Sequence, residues 1–298
     1  MNGTSSPESL PPRIPSLTPK KQTEMFYRDL KKAKETYHES YRSDKLTVHH
    51  LLNAESLSVV FEGELDSDIT TCVAFAREWD LVKEWNAFVI KSEMLRIVSV
   101  LELIVSSEVW MPWPFKNRNM CVRTVGYDVT SDMGCFFIRM TPEDPRLSDP
   151  KEEMTPIYCD GRIVLTPVSN KKTKVELMIT VRENRMKYVP NWLLSAILKV
   201  YTPRTFAKMN QLVCVAAEIQ QKGGLDKLKK EGKISLADLE VCDAVVKRMQ
   251  KNVGLYVVVF ESLYSSAKST TFELKHRYAN FLTARASAIL TKNNTTES

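Results

Sequence analysis

Five segments rich in β-branched and aromatic residues lie between positions 89 and 181, and they constrain the fold more than any other feature. They are residues 95–105, 119–127, 135–140, 162–167 and 174–181, separated by turn signals such as Asp160 and Gly161. Parallel neighbours need long crossover connections, so such short connections predict an antiparallel meander. Residues 190–221 follow with an apolar stripe that predicts a long helix, kinked near Pro203.

The part of the chain before these segments predicts a disordered tail, two helices and one strand. Residues 1–19 contain five prolines among serine and threonine, and such a segment buries too little apolar surface to offset its ordering entropy. Residues 23–41 have the apolar spacing of a helix, and residues 56–65 alternate as a strand does. Ser67 or Asp68 is a suitable cap for a helix that runs to about Phe88.

The order of these elements predicts an α+β fold in which a curved antiparallel β-sheet wraps around a long C-terminal helix. The space between such a sheet and helix is a ligand pocket by default where apolar groups line it. The wide apolar stripe of the helix has to be covered, either by protein core or by a ligand.

The composition is typical of a soluble globular protein. Hydrophobic residues make up 43% of the 298, yet no apolar run approaches the roughly 20 residues that cross a bilayer. The six cysteines are scattered without a CxxC pair, which argues against a zinc site, so we expect reduced thiols and no cofactor or metal. The first residues do not have the pattern of a signal peptide, and a cytoplasmic location is expected.

The net charge of +6 is concentrated in one part of the chain. Residues 185–233 contain ten Lys or Arg and three acidic residues. Such a patch either attracts anionic membranes, by about 1 kcal/mol per charge, or is a solvated helix face, and the sequence leaves both interpretations open. If the patch attracts membranes, an anionic membrane surface is an expected partner, which the protein contacts transiently and peripherally. No nucleic-acid partner is expected.

Three motifs resemble those of the steroidogenic-acute-regulatory-related lipid-transfer (START) domains, a family with the helix-grip (Bet v 1-like) fold. They are residues 79–86 (WDLVKEWN), 110–119 (WMPWPFKNRN) and 189–194 (VPNWLL), in the family's order and at about its spacing. Two positions depart from the family pattern: Lys187 stands where a glycine is frequent, and Asn119 replaces the commoner aspartate after the arginine.

The resemblance covers residues 23–221 and implies a START-like domain over residues 20–222. It implies that the protein is not an enzyme, and that it encloses one sterol, phospholipid or related lipid in a cavity under the long helix, which acts as a lid. The candidate ligand-binding residues are Trp110, Trp113, Arg123, Arg139, Trp192, Leu193, Ile197, Phe206, Met209 and Val213. The aromatic residues could instead pack a corner of the core, and the two arginines could point to solvent from the convex face.

Two other functions remain open from the sequence. The first is a helix-grip enzyme similar to polyketide cyclases and aromatases. No catalytic residues are predicted, because His38, His49, His50 and His276 all lie outside the predicted sheet and lid. The second is a protein-interaction scaffold.

The last third of the chain predicts a helical hairpin. Residues 223–234 form a basic linker, residues 235–291 the hairpin and residues 292–298 a disordered tail. Ser235 is the expected cap of its first helix, and a seam of apolar residues steps by threes and fours from Leu239 to Leu263. Its second helix is expected at about residues 271–290. The hairpin is expected to dock on the first domain or, in the alternatives, on another copy, a membrane or a protein partner.

Overall fold

The computed structural model describes residues 17–111, 116–148, 154–183, 189–220, 224–232 and 234–251. Its centre is a nine-stranded sheet in the order β1-β2-β3-β9-β8-β7-β6-β5-β4, in which sequential neighbours are antiparallel. The strands are β1 (His38–Arg42), β2 (Leu46–Leu52), β3 (Ser56–Leu65), β4 (Val89–Ile97), β5 (Glu102–Val109), β6 (Arg118–Val129), β7 (Cys135–Pro142), β8 (Thr155–Ser169) and β9 (Lys172–Arg182). A short parallel pairing of β6 with β8 joins residues 118–120 to 155–157.

Six α-helices and a 3₁₀ helix surround the sheet in the described ranges. They are α1 (Pro19–Thr36), α2 (Ile69–Arg77), the 3₁₀ helix Trp79–Glu84, the single turn α3 (Thr130–Met133), α4 (Asn191–Gln220), α5 (Gly224–Glu231) and α6 (Leu236–Lys251), and a second 3₁₀ turn spans Pro145–Ser148. The expected α+β helix-grip architecture, a curved antiparallel sheet with a long helix after its last strand, is confirmed. None of the described helices is both long and apolar enough to cross a bilayer.

The two faces of the sheet pack against different helices. On the outer face, Val60, Phe137, Val164 and Met178 form one hydrophobic cluster with residues of α1 such as Phe26. The alternate residues of the same strands point to the inner face, which α2 and α4 cover. Apart from the irregularities in β1, β4 and β8, this alternation assigns each strand residue to one face.

Several sequence predictions of element boundaries are wrong. The first helix ends at Thr36 instead of continuing to position 41, and the hairpin of β1 and β2 follows it. That hairpin is polar and contains two consecutive histidines, so its own residues give no strong strand pattern. Of the two caps predicted for α2, Asp68 is confirmed, because it accepts the Thr71 backbone N–H at 3.0 Å, but α2 ends at Arg77 instead of about Phe88.

One predicted strand and one predicted turn also differ from the structure. The run 95–105 covers the end of β4, a turn and the start of β5, because no glycine or proline marks that turn. Asp160 and Gly161 do not form a turn but lie within β8. There, the missing side chain of Gly161 makes room for Met140, whose Sδ lies 2.9 Å from where a Cβ would be.

The described part of the C-terminal region packs on the same core. Part of the predicted linker is helical and forms α5. At the start of α6 the Asp238 backbone N–H donates to Ser235 Oγ at 3.1 Å, as expected for a cap. The seam residues Leu239, Cys242, Val246 and Met249 are buried in the cluster that contains α2 and α4. The rest of the predicted hairpin and the tail lie outside the described residues.

Candidate functional site

The inner face carries a continuous apolar surface at the end of the sheet toward β4. Its buried members come from β5, β6, β7 and β8, and we call them the floor cluster: Leu103, Val105, Met120, Val122, Met140, Ile157 and Cys159. Trp79, Ile163, Ile179 and Val181 pack against this cluster and are only partly buried. The floor cluster is therefore wide and apolar, and it spans four strands, β5 to β8.

The first half of α4 (residues 191–205) presents buried leucines on one side and exposed residues on the other. Leu194 and Leu198 lie one turn apart and are both buried. On the opposite side Trp192 is 72% exposed, and Val200 is exposed too. Among the described residues, no side chain of this half belongs to the floor cluster.

Contacts hold the first half of α4 to the two edges of the sheet. At one end Asn191 Oδ1 lies 3.2 Å from Nε2 of His50, on β2. At the other end the ring of Tyr201 lies 5.8 Å from that of Phe88 and 5.6 Å from that of Trp110, measured between centroids. The helix thus bridges the inner face from the β2 side to the β4–β5 side.

An ion pair lies on the inner face beside the floor. Arg118 precedes Met120 and Val122 on β6 and shares their face, and Glu183 follows Val181. Both side chains are buried, with 2.7 Å between Arg118 Nη2 and Glu183 Oε1. Arg118 also donates to the Lys116 carbonyl oxygen, whereas its Nε has no hydrogen-bond partner among the described residues. A buried hydrogen-bond donor without a partner in the described part of the chain therefore lies beside the floor cluster.

Three of the four histidines contradict the expectation that all of them lie outside the sheet, and His276 lies outside the described residues. His38 lies in β1, and His49 and His50 lie in β2, so the expectation fails together with the missed hairpin. His50 is buried on the inner face, 2.5 Å from Ser40 Oγ through Nδ1. Burial lowers the pKa of His50, and the hydrogen bond with Asn191 opposes this shift. The ring is therefore neutral at pH 7, where it connects β1 with α4.

Most of the predicted site residues lie on or near α4. Leu193 and Ile197 are half-buried on its first half. Phe206 and Val213 are buried in the second half (residues 206–220), and Met209 packs beside them. Trp110 is half-buried against Tyr201, and Trp113 lies outside the described residues.

The two predicted arginines lie on the outer face. Arg123 donates through Nε to Glu143 Oε2 at 2.9 Å and through Nη1 to Glu102 Oε1 at 2.5 Å. Arg139 donates through Nη1 to Asp160 Oδ1 at 2.9 Å. This placement agrees with the alternative in which both arginines point away from the inner face. The inward arginine is Arg118, and its spacing of two and four from Met120 and Val122 is the signal that could have identified it.

A separate small cavity lies between α2 and strands β5 to β7. Its volume is about 30 Å³, and Val73, Leu103, Gly126, Phe136 and Ile138 are among its lining residues. A single water needs about 10–15 Å³, so this cavity has room for a water or two and not for a lipid.

The solved structures that resemble this one identify its fold. Human STARD10 is 15% identical, with a TM-score of 0.55 over 71% of this chain and 86% of that chain. Human StAR-related lipid transfer protein 5 is 10% identical, with a TM-score of 0.51 over 64% of this chain and 94% of that one. A STAR-related lipid transfer protein fragment from Xanthomonas axonopodis is 15% identical, with a TM-score of 0.50 over 59% and 98%. No family model and no curated protein matches the sequence. The chain has the START-type helix-grip fold.

Proposed function

We propose that this chain with the START-type fold binds one lipid between the floor cluster and the first half of α4, and carries it between membranes. One observation carries the proposal. The floor cluster and the buried leucines Leu194 and Leu198 are apolar surfaces of the same interior, yet no described residue of the first half of α4 belongs to that cluster. An apolar ligand between them would complete the packing.

The physical gain comes from removing apolar surface from water. Burial stabilises by about 25 cal/mol per Å² of apolar surface. A lipid tail covered on two sides buries more apolar surface than a tail on a flat surface, so its binding is stronger. Two of the similar solved structures carry lipid transfer in their names, which agrees with this use of the fold.

Arg118 would bind the polar end of the lipid. Its Nε is a buried donor without a partner in the described part of the chain, and a buried donor left unpaired costs about 1–3 kcal/mol. An oxygen of the lipid would remove that cost. Glu183 already balances the charge of Arg118, so the pair as a whole is neutral and suits an uncharged hydroxyl or carbonyl group better than a phosphate.

The outer side of α4 would contact the membrane. Its first half exposes Trp192, Val200, Lys199 and Arg204, and the helix has no acidic residue before Glu218. Tryptophan favours the membrane–water interface, and each basic residue adds about 1 kcal/mol near an anionic surface. Lipid exchange would follow when the first half of α4 separates from the sheet at the membrane.

Native mass spectrometry tests the proposal. The protein is purified from a eukaryotic host, its mass is compared before and after denaturation, and the released molecules are extracted and identified. The expected result is one lipid per chain. A protein that arrives empty, and stays empty after incubation with vesicles of a total eukaryotic lipid extract, would refute the proposal.

One observation favours a second candidate, hydrolysis of an ester. Ser40, His50 and Asn191 form a chain of hydrogen bonds in which a hydroxyl meets a neutral imidazole that an amide oxygen orients, as in nucleophilic hydrolases. The lipid carrier is preferred because these three side chains lie at the β1–β2 edge, whereas the floor cluster spans four strands. Labelling of Ser40 by a fluorophosphonate, absent in Ser40→Ala, would favour the enzyme.

A further inference from the structure

We infer that Phe206 is the closed inner end of this lipid site and sets the longest lipid that fits. The inference rests on the proposed function, because it assumes that a lipid lies beneath the first half of α4. It assigns a specificity-determining role to one residue at the middle of the helix.

The two halves of α4 meet the sheet differently. In the second half Phe206, Leu212 and Val213 are buried in one cluster with strand residues of the inner face. Those strand residues are Leu46, Val48, Leu65, Phe136, Ile138, Leu165 and Val175. In the described part of the first half, no side chain belongs to that cluster or to the floor cluster. Packing of α4 into the hydrophobic core of the inner face therefore begins at Phe206, whereas the first half contacts the sheet at its edges.

The ring of Phe206 lies against the backbone of β3. A Cβ atom on Gly63 would lie 2.6 Å from both Cε2 and Cζ of Phe206, which is closer than van der Waals contact allows. Phe61 packs on the same ring edge-to-face, with 6.1 Å between centroids. Only a glycine at position 63 allows this approach. The ring therefore fills the interval between helix and sheet and leaves no room there for a lipid chain.

Contacts on the sheet side fix the position of the second half. Asn210 Oδ1 accepts the Asp66 backbone N–H at 2.7 Å, and Asn210 Nδ2 donates to Asp66 Oδ2 at 3.1 Å. One turn further on, Cys214 Sγ donates to the Asp66 carbonyl oxygen at 3.1 Å. These bonds join α4 to the loop between β3 and α2, directly beside the Phe206 ring.

α6 fixes the same half from outside. Cys242 Sγ donates to the Leu212 carbonyl oxygen at 3.3 Å, and Lys208 Nζ lies 2.5 Å from Asp238 Oδ2. Because it is held on both sides, Phe206 cannot withdraw without breaking these contacts. A lipid has available only the length of the first half, about 22 Å at 1.5 Å per residue.

The test compares the lipids bound by Phe206→Ala, Phe206→Leu and the unchanged protein. Each is incubated with vesicles of a total eukaryotic lipid extract, re-isolated, and analysed by native mass spectrometry and lipid extraction. Removal of the ring is expected to shift the bound population within one lipid class toward longer acyl chains, by at least two methylene groups on average. Phe206→Leu should give a smaller shift in the same direction.

A matched control separates this effect from general loosening of the core. Val215→Ala removes buried volume from the same half of α4, nine residues beyond the proposed wall, and should leave the bound lipids unchanged. Circular dichroism verifies the fold of each variant, and Phe206→Leu decides the test if Phe206→Ala does not fold. If the unchanged protein carries a lipid and the Phe206 variants carry the same lipids, the role of Phe206 is overturned but the proposed function is not. An unchanged protein that binds no lipid would overturn the proposed function itself.

Discussion

Arg118 and Glu183 form an ion pair across the inner face of the sheet, with side chains 1% and 5% exposed and 2.7 Å between Nη2 and Oε1. Glu183→Leu leaves the arginine charge buried without its carboxylate, and we expect a loss of about 3–5 kcal/mol in the free energy of unfolding. The double variant Arg118→Met, Glu183→Leu should recover most of that loss, because two apolar side chains replace the pair. Urea denaturation measures both.

The outer-face pair of Arg123 and Glu143 is the matched control. Its side chains are 32% and 16% exposed, so water screens their attraction. Glu143→Gln should cost about 1 kcal/mol or less, and it should leave lipid loading unchanged. The double variant at Arg118 and Glu183 should lose loading because it lacks the polar anchor. Equal loading in the two proteins would contradict a role for Arg118 in lipid binding.

The pH dependence of stability should report on two buried histidines. Burial lowers the pKa of both His49 and His50 below the ordinary 6.5. The unfolded chain therefore binds protons first as pH falls, and stability present above pH 6.5 is lost progressively toward the lower pKa of the folded state. His49→Gln and His50→Gln should each reduce the drop in melting temperature between pH 8 and pH 5.5.

The two histidines have different contacts. His50 is hydrogen-bonded to Asn191 at the start of α4, whereas His49 points to the outer face toward Glu39. His50→Gln should therefore increase amide hydrogen exchange over residues 191–198, and His49→Gln should not. The same increase in both variants would show that His50 has no specific role in holding the helix.

The central strands and α4 were predictable because their patterns are local. In β3 Leu57, Val59 and Phe61 recur at alternate positions, and α4 has a long apolar stripe that continues through Pro203. Asp68 and Ser235 cap helices by bonds that reach only three residues along the chain. Such features depend on neighbours in sequence, so one sequence shows them.

The missed features depend on distant parts of the chain. β1 has the sequence His-Glu-Ser-Tyr-Arg, and it becomes a strand through pairing with β2. The sequence did not predict β1 and β2, so it could not place His50 on the inner face. It also could not pair His50 with Asn191, which is 141 residues away. The ion pair of Arg118 spans 65 residues in the same way. Arg118 could be placed inward by alternation, but its partner could not.

Trp192 provides a test of membrane contact by α4. It is 72% exposed, so Trp192→Ala should change the free energy of unfolding by less than about 0.5 kcal/mol. Loss of its interfacial contact should weaken binding to anionic vesicles by about 1–2 kcal/mol, roughly five- to thirtyfold. Vesicle sedimentation at two salt concentrations measures this, and binding should fall as salt rises. The control is Ile97→Ala, at another site, 58% exposed on the edge strand β4; an equal loss there would contradict the assignment.

Arg248 attaches α6 to the rest of the fold. It donates to Glu78 Oε2 at 2.7 Å and, through two nitrogens, to both oxygens of Asp80 at 2.8 Å. Arg248→Ala should cost about 1–3 kcal/mol because the buried Glu78 keeps only Arg77 as its ionic partner among the described residues. The neighbouring Lys247 is exposed, and Lys247→Ala should change stability by less than about 0.5 kcal/mol. Denaturant titration that gave equal values for both would show that α6 is held by its apolar seam alone.

Gly63 and Phe206 should be energetically coupled, since the Phe206 ring occupies the space that a side chain at position 63 would need. In the unchanged protein Gly63→Ala forces the ring or β3 to move, and overpacking of this kind costs about 1–3 kcal/mol. In a Phe206→Ala background the nearest obstacle is the Lys45 carbonyl oxygen at 3.1 Å, so the same substitution should cost at least about 1 kcal/mol less. A double-mutant cycle from urea denaturation gives this difference. Additive effects would mean that the ring does not rest on β3 in solution, and Phe206 could then not close the space beneath α4.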